Sequence, residues 1–164
     1  MKILGIDPGT RRCGYGFIQH SSRKNEPVYL ASGVIQAGTS KEAMHIRLLT
    51  IYNSLNSLID RYQPAHMALE KVFFHKNAQS SFALGQVRGV ALLLAANRSL
   101  EVFEYNPTEV KQAVTGFGRA EKRQVMEMVK RIIKVDKKLQ EDEADALGLC
   151  ICHMNMFHFK ELSG

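Results

Sequence analysis

The spacing of apolar residues begins as short runs and then changes to a helical period. Three short apolar runs come first, and their immediate succession favours an antiparallel meander of strands. These predicted strands span residues 2–6, 14–18 and 28–35. Pro8 and Gly9 end the first strand, because Pro8 cannot donate a ladder hydrogen bond and Gly9 permits a tight turn.

Apolar residues at spacings of three and four predict a long amphipathic helix from Met44 to Tyr62, ended by Pro64. Two further strands are predicted at 67–69 and 101–105, and residues 71–80 between them have the polarity of a loop. Further helices are predicted at 81–97, from 107, around 125–133, and at 141–158. This order predicts an α/β fold, a mixed five-stranded sheet flanked by helices, in a single domain over residues 1–164.

The composition excludes several classes of protein. A length of 164 residues, 45% of them hydrophobic and 23% charged, is typical of one globular domain. Three cysteines do not make a disulfide framework, and the longest apolar run, 89–96, is far shorter than the ~20 residues of a membrane span. No secretory signal is recognisable, so we expect a cytoplasmic protein without membrane contact.

Two small groups of residues have competing interpretations. Cys150, Cys152 and His153 suggest a metal site, but the two thiols project in different directions from a helix, so we expect them to be buried. Gly85 and Gly89 allow one helix to approach a neighbour closely. We expect that neighbour to be the helix's own sheet, with a dimer contact as the alternative.

The positive charge of the chain is concentrated in one segment. The net charge is +6, and residues 111–138 alone hold nine Lys or Arg against three acidic residues. A solvated helix face is the simplest interpretation of such a segment. Because the whole surplus lies there, we expect a surface that faces the phosphates of a nucleic acid.

Acidic residues stand at three places that the predicted fold could bring together. Asp7 and Glu70 each follow an apolar strand, and Asp142 and Asp145 share one face at the start of the last helix. Each acid alone is as readily explained as a turn or helix cap. Four converging carboxylates would repel one another unless cations held them, and hard oxygen ligands favour Mg²⁺ or Mn²⁺.

Several motifs carry a family resemblance, in one order, over nearly the whole chain from residue 2 to 153. They are Ile6-Asp7-Pro8-Gly9, Gly14-Tyr15-Gly16, Leu69-Glu70-Lys71-Val72-Phe73, Lys76-Asn77-Ala78, Leu84-Gly85-Gln86-Val87-Arg88-Gly89-Val90, Val110-Lys111-Gln112, Gly116-Phe117-Gly118-Arg119-Ala120-Glu121-Lys122 and Asp142-Glu143-Ala144-Asp145-Ala146-Leu147. On these motifs the chain resembles the RuvC family of bacterial Holliday-junction resolvases.

The resemblance implies an RNase H-like fold and a homodimeric, Mg²⁺-dependent endonuclease that nicks opposing strands of a four-way DNA junction in recombination and repair. It implies two Mg²⁺ ions per site, with Mn²⁺ as a possible substitute, and a branch-migration helicase complex (RuvA and RuvB) as partner. The implied catalytic and metal-binding residues are Asp7, Glu70, Asp142 and Asp145. The implied DNA-binding residues are Phe73, Lys76, Lys111, Arg119 and Lys122, with Phe73 stacking on bases.

The chain departs from the family pattern at three positions. Cys13 stands where many members carry Thr or another small residue, and Lys71 follows Glu70 where a neutral residue is frequent. Glu143 stands between the paired acids where Ala is common. We expect the Glu143 side chain to point outward, and a ligand role for it stays open.

Three other functions are weighed against the resolvase. A related RNase H-like nuclease of the YqgF type, acting on RNA, shares features of residues 5–14, but the segments around Glu70 and Asp142 fit it less well. A phosphotransferase of the sugar-kinase or Hsp70 kind needs two such domains, which 164 residues do not supply. A junction-binding module without catalysis has no use for four acids, which would repel DNA.

Overall fold

A five-stranded mixed sheet forms the centre of the molecule. The computed structural model describes residues 1–21, 26–71 and 78–163, with side chains as far as Phe157. The strands are β1 (Lys2–Asp7), β2 (Arg12–Ser21), β3 (Glu26–Gln36), β4 (His66–Glu70) and β5 (Glu101–Tyr105). Their order across the sheet is β3-β2-β1-β4-β5. The first three strands are antiparallel, as their succession predicts, and β4 and β5 add parallel to β1.

Five helices cover the two faces of this sheet. They are α1 (Met44–Tyr62), α2 (Ala78–Asn97), α3 (Pro107–Thr115), α4 (Lys122–Ile133) and α5 (Glu141–Ser163). The predicted start of α3 is confirmed, because Asn106 and Glu109 form a reciprocal capping box ahead of Pro107. None of the helices within the described ranges has the length and apolar character to cross a bilayer.

The sheet separates two hydrophobic cores. One core joins the sheet to α1 and α2 and contains Leu4, Ile6, Phe17, Ile51 and Leu94. The other joins the opposite face to α3, α4 and α5 and contains Ile3, Val114, Val129, Leu147 and Ile151. Alternate residues of β1 therefore point to different cores, which is the period of two expected of a central strand.

Helix α5 lies unusually close to β1 and β2, because glycines leave room for it. A Cβ atom at Gly5 would lie 2.0 Å from the carbonyl oxygen of Ala146, and one at Gly14 would lie 2.0 Å from that of Asp142. Any side chain at these two positions would push the helix away. The contact fixes the start of α5 above the carboxyl end of β1.

Several details differ from the sequence-based expectations. Helix α2 begins at Ala78, so residues 78–80 are helical and not part of the predicted loop. Gly85 and Gly89 are exposed, and a Cβ atom on either would meet nothing within 4 Å. The expectation that they bring α2 close to its own sheet is therefore wrong. Cys13, Cys150 and Cys152 are free and buried, as predicted for the last two.

Candidate active site

Asp7 and Glu70 stand side by side at one edge of the sheet. The parallel pairing of β1 with β4 sets Ile6 opposite Leu69, so the acids that follow them occupy neighbouring strand ends. Both side chains belong to the face of the sheet that packs against α5, because they alternate with residues of the other core. The sequence placed an acid after each strand, and the parallel register brings the two together.

Helix α5 supplies the other two acids. Asp142 and Asp145 lie in its first two turns, where the close contact at Gly14 holds the helix against the sheet. All four predicted carboxylates line one cavity. Its remaining lining residues are Pro107, Val110, Lys111, Lys122, Val125 and Leu149. Acids from β1, β4 and α5 thus share one cavity with apolar side chains from α3, α4 and α5 and with two lysines.

The acids influence one another through their charges. Burial, and then the charges of Asp145, Asp142 and Glu70, raise the pKa of Asp7 to about 7. Burial also raises the pKa of Asp145, although the neighbouring Lys122 opposes the shift. Asp7 is therefore a carboxylate whose negative charge is poorly compensated by the protein itself. A cluster of this kind favours the binding of cations.

Two protein cations contact the acids of α5. The Arg12 Nε donates to Asp142 Oδ2 at 2.7 Å, and another guanidinium nitrogen of Arg12 donates to the side chain of Gln140 at 2.9 Å. Lys122 Nζ lies 2.7 Å from Glu141 Oε1 and 3.3 Å from Asp145 Oδ2. Burial alone would lower the pKa of Lys122, but these carboxylates outweigh it and raise the pKa above its ordinary value.

The donor set suits a hard divalent cation in its chemistry. It consists of carboxylate oxygens, which Mg²⁺ and Mn²⁺ prefer over the softer ligands of zinc. Within the described part of the chain, no three His, Cys, Asp or Glu side chains are close enough to form a ligand set as they stand. Asp142 and Asp145 are each paired through one oxygen with a basic side chain, so an ion would compete with Arg12 and Lys122 for these carboxylates.

Glu143 does not point outward, and this expectation from the sequence is wrong. Its side chain is 3% exposed and accepts hydrogen bonds from Ser32 Oγ at 2.6 Å, from the Gln140 backbone N–H at 3.0 Å, and from Lys137. These donors outweigh the effect of burial and lower the pKa of Glu143. The residue joins the start of α5 to strand β3 and does not line the cavity.

The predicted DNA-binding residues occupy different places. Lys111 and Lys122 line the cavity from α3 and α4. Arg119 is exposed on the connection between these two helices and is not part of the cavity wall. Phe73 and Lys76 lie outside the described residues. Lys71, one of the departures from the family pattern, is exposed, and its backbone N–H donates to the Tyr105 carbonyl at 2.9 Å.

Two arginines at the site escaped the sequence analysis. Arg12 contacts Asp142, as described above. Arg88 of α2 donates to the backbone carbonyl of Glu70 at 3.3 Å and also pairs with Glu104 of β5. Arg88 lies on α2 and Glu104 lies on the next strand, 16 residues later, so the spacing of neighbouring residues gives no sign of their contact. Only the pairing of β4 with β5 brings these groups together.

Beside the acids, a buried polar chain runs along the same face of the sheet. Tyr105, which pairs with Glu70 in register, lies 2.6 Å from His153 Nδ1 through its hydroxyl. The other ring nitrogen of His153 lies 2.8 Å from His66 Nδ1. His153 therefore belongs to the core and not to a metal site with Cys150 and Cys152. Burial raises the pKa of both thiols to about 12.

Comparisons with known proteins agree with this geometry. A family model described as crossover junction endodeoxyribonuclease RuvC matches residues 3–153. A RuvC from Syntrophotalea carbinolica is 46% identical over 162 residues, 99% of each chain. One from Legionella pneumophila is 45% identical over 154 residues, covering 94% of this chain and 87% of that relative.

The fold is similar to that of a solved resolvase. The structure of Thermus thermophilus RuvC in complex with Holliday junction substrate superposes with a TM-score of 0.90 at 27% identity. The match covers 98% of this chain and 96% of that one. The predicted α/β architecture of the RNase H-like type is thereby confirmed. With the family model matching most of its length, this chain belongs to the RuvC family of crossover junction endodeoxyribonucleases.

Proposed function

We propose that this protein cleaves four-way DNA junctions, by metal-dependent hydrolysis of a phosphodiester bond in each of two opposing strands. The observation that carries the proposal is the meeting of Asp7, Glu70, Asp142 and Asp145 at one cavity that two lysines also line. Membership of a family of crossover junction endodeoxyribonucleases supports this assignment. A structure of a relative with its Holliday junction substrate has the same fold.

The RuvC family is metal-dependent, and for this chain we assign Mg²⁺, with two ions per site and Mn²⁺ able to replace it. The four carboxylates of the cavity are the proposed ligands, with Asp7 shared by both ions because the charges of the other three acids all act on it. Such ions, when bound, activate water and neutralise the leaving oxygen in phosphodiester hydrolysis. The raised pKa of Asp7 supports this assignment, since bound cations would supply the charge compensation that the protein lacks.

The remaining lining residues have supporting tasks. Lys111 and Lys122 place positive charge in the lining of the cavity, where the cleaved phosphate would lie. Lys122 would exchange its contacts with Glu141 and Asp145 for the phosphate once ions hold the acids. Val110, Val125 and Leu149 contribute apolar surface to the lining of the same cavity.

DNA arms would lie along the basic segment 111–138. Arg119, Arg123 and Arg131 are exposed there and available to phosphates. Two lysines of the segment are engaged within the protein, because Lys134 pairs with Glu26 at 3.0 Å and Lys137 pairs with the buried Glu143. The DNA-facing charge is therefore smaller than the sequence count suggests. Phe73 and Lys76 are proposed to contact DNA on the family resemblance alone.

A homodimer completes the proposal, because paired cleavage of a nearly two-fold symmetric junction needs two related sites. The outer face of α2 suits this contact. It exposes Phe82 and Leu93, at 72% and 58% exposure, together with Gly85 and Gly89. An apolar face with no side chain at two positions allows a second helix to approach closely. Replacing Leu93 with Glu should convert the dimer to a monomer in sedimentation analysis, whereas Leu49→Glu on α1 serves as the matched exposed control.

Two further assignments follow from the function. Recombination on chromosomal DNA implies a cytoplasmic location. It also implies contact with a branch-migration complex of the RuvA and RuvB type, which would present the junction to the enzyme.

One cleavage assay tests the function. A synthetic four-way junction, a linear duplex of the same sequence and an RNA–DNA hybrid are incubated with the protein in Mg²⁺ or EDTA. Paired symmetric nicks in the junction alone, lost in EDTA, are the expected result. Cleavage of the hybrid instead would move the function to RNA, as in nucleases of the YqgF type.

The Asp7→Asn variant serves as the control for chemistry. It removes a proposed metal ligand without touching the basic surface. We expect it to lose cleavage while binding the junction with unchanged affinity in a gel-shift titration. Loss of binding as well would assign Asp7 to the fold and not to the chemistry.

A further inference from the structure

One aromatic side chain near the cavity has no role in the fold. Phe117 is 75% exposed, the most exposed of the large apolar residues in the described part of the chain. Leaving a phenyl ring in water forgoes about 2 kcal/mol of burial free energy, so the ring contributes little to the hydrophobic core. It stands in the connection between α3 and α4, six residues after Lys111 and five before Lys122, and both lysines line the cavity.

The backbone holds Phe117 in a fixed position. Gly116 adopts a left-handed conformation with φ 81° and ends α3, and the Gln112 side chain donates to its carbonyl at 2.8 Å. The Phe117 N–H donates to Thr115 Oγ1 at 3.1 Å, and the Phe117 carbonyl accepts from the Ala120 N–H at 3.1 Å. Both polar groups of the Phe117 backbone are thus satisfied inside the connection, and the ring alone faces solvent.

The connection also returns toward the cavity. A Cβ atom at Gly118 would lie 2.7 Å from Thr108 Cγ2, so this stretch packs against the first turn of α3. The neighbour of Thr108 in that turn is Pro107, which lines the cavity. The connection that carries Phe117 therefore packs next to a residue of the cavity lining, and the Phe117 side chain is open to solvent there.

Charge around the ring indicates which partner it meets. Arg119, Lys122 and Arg123 follow within six residues and are exposed. A protein interface usually surrounds its apolar centre with residues of both charge signs and excludes charge from that centre. An aromatic ring flanked by cations is the arrangement that proteins use on nucleic acids, where the cations contact phosphates and the ring stacks on a base.

We propose that Phe117 stacks on a nucleobase of the DNA strand that enters the cavity and so fixes which phosphodiester is cleaved. The proposal rests on the proposed function, since it takes junction DNA as the substrate. Arg119 and Lys122 bind the phosphates on either side, and the ring sets the register of the strand. Phe117 is a positioning residue and takes no part in bond breaking.

Four variants test this role in the full-length protein. Phe117→Ala removes the ring, Phe117→Leu keeps apolar volume without a ring, and Phe117→Trp keeps an aromatic surface. Val28→Ala, at an exposed apolar residue of the edge strand β3, is the matched control. Junction affinity is measured in Ca²⁺ by gel shift, and cleavage products made in Mg²⁺ are mapped at nucleotide resolution. Melting temperatures of all variants are recorded alongside.

The expected pattern separates stacking from other contacts. Phe117→Ala and Phe117→Leu should lose about tenfold in affinity or cleavage rate and spread the cut over neighbouring phosphodiesters. Phe117→Trp and Val28→Ala should behave as wild type, and no variant should melt at a lower temperature. A fluorescent 2-aminopurine next to the cut site should be quenched by wild type and by Phe117→Trp only.

Contrary outcomes are equally specific. Unchanged affinity and unchanged cut position in Phe117→Ala would overturn the proposal while the function stood. Full activity in Phe117→Leu would replace stacking by simple apolar contact and also overturn it. If wild type neither binds nor cleaves the junction, the proposed function fails first and this inference fails with it.

Discussion

Arg12 and Asp142 lie 130 positions apart in the sequence and share a 2.7 Å hydrogen bond at the cavity. The pair joins the start of β2 to the start of α5, and it occupies a carboxylate that we assign to a metal ion. On this assignment, Arg12 would compete with the ion for Asp142. This relationship gives the metal affinity of the protein a second determinant besides the acids themselves.

Replacing Arg12 with Gln should strengthen metal binding. The pair is partly exposed, so its removal frees up to about 1 kcal/mol, or up to about fivefold in the dissociation constant for Mn²⁺. Calorimetric titration without DNA measures this directly, and Arg11→Gln is the matched control on the adjacent residue. Weaker Mn²⁺ binding in Arg12→Gln would show that Arg12 positions Asp142 and does not compete for it.

Glu143 should contribute to stability and not to chemistry. Glu143→Gln retains the shape but weakens the bonds from Lys137 and Ser32, which we expect to lower the free energy of unfolding by about 1–3 kcal/mol. Urea denaturation measures the loss. Glu141→Gln, at an exposed residue of the same helical turn that pairs with Lys122, should cost less than about 1 kcal/mol.

The sign of the pH dependence of stability tests this structural role of Glu143. The pKa of Glu143 is lowered from 4.5 in the folded protein, so its stabilisation is present above that pH. The stabilisation is lost as pH falls through the lowered folded-state pKa. The stability difference between wild type and Glu143→Gln should therefore shrink in acid. A difference that stays constant down to pH 3 would contradict the assigned ion pair.

His66 should make the folded state sensitive to mild acid. Burial lowers its pKa from 6.5, while Glu101 opposes the shift and the N-terminal amine supports it, and Tyr105 and His153 complete its polar surroundings. The unfolded chain then binds more protons, so stability falls as pH drops below 6.5 toward the folded-state pKa. Melting curves between pH 7.5 and 5 should show this loss, and His66→Gln should reduce it. An equal loss in both proteins would assign the effect to other groups.

The close contact between β2 and α5 should tolerate no side chain. Gly14→Ala would set a methyl group 2.0 Å from the Asp142 carbonyl, and we expect a cost of more than about 2 kcal/mol together with weaker Mn²⁺ binding. Asn53→Ala, at an exposed position of helix α1 away from the cavity and from the proposed dimer face, is the control and should change stability by less than about 1 kcal/mol. Equal stability of the two variants, measured by denaturation, would contradict the packing described here.

Local patterns were enough to predict most of the fold. The boundaries of α1, the cap of α3 at Asn106 and the strand β5 match the structure because each depends on neighbours in sequence. The meander was predictable since consecutive short strands pair with each other. The start of α2 was misplaced by three residues, because polar residues in a first helical turn resemble a loop.

The candidate site was predictable in its acids and, from the family resemblance, in Lys111 and Lys122. Asp7 and Glu70 follow apolar strands, and Asp142 and Asp145 are three apart, so each carries a local signal. The inward orientation of the Glu143 side chain had no local signal, because it depends on contacts with Ser32 and Lys137 from two other segments. Arg12 and Arg88 were missed for the same reason, since their partners are set by tertiary packing and not by spacing.

The two cores lie on opposite faces of the sheet, and each is associated with a different proposed function. The proposed chemistry resides with α5, and the proposed association surface is the far side of α2, with the strands as a partition between them. Sequence drift in the α1–α2 layer can thus alter how copies assemble while the acids stay in register. A lineage could change how its copies assemble and keep the acids of the cavity, because the two surfaces lie on opposite faces of the sheet.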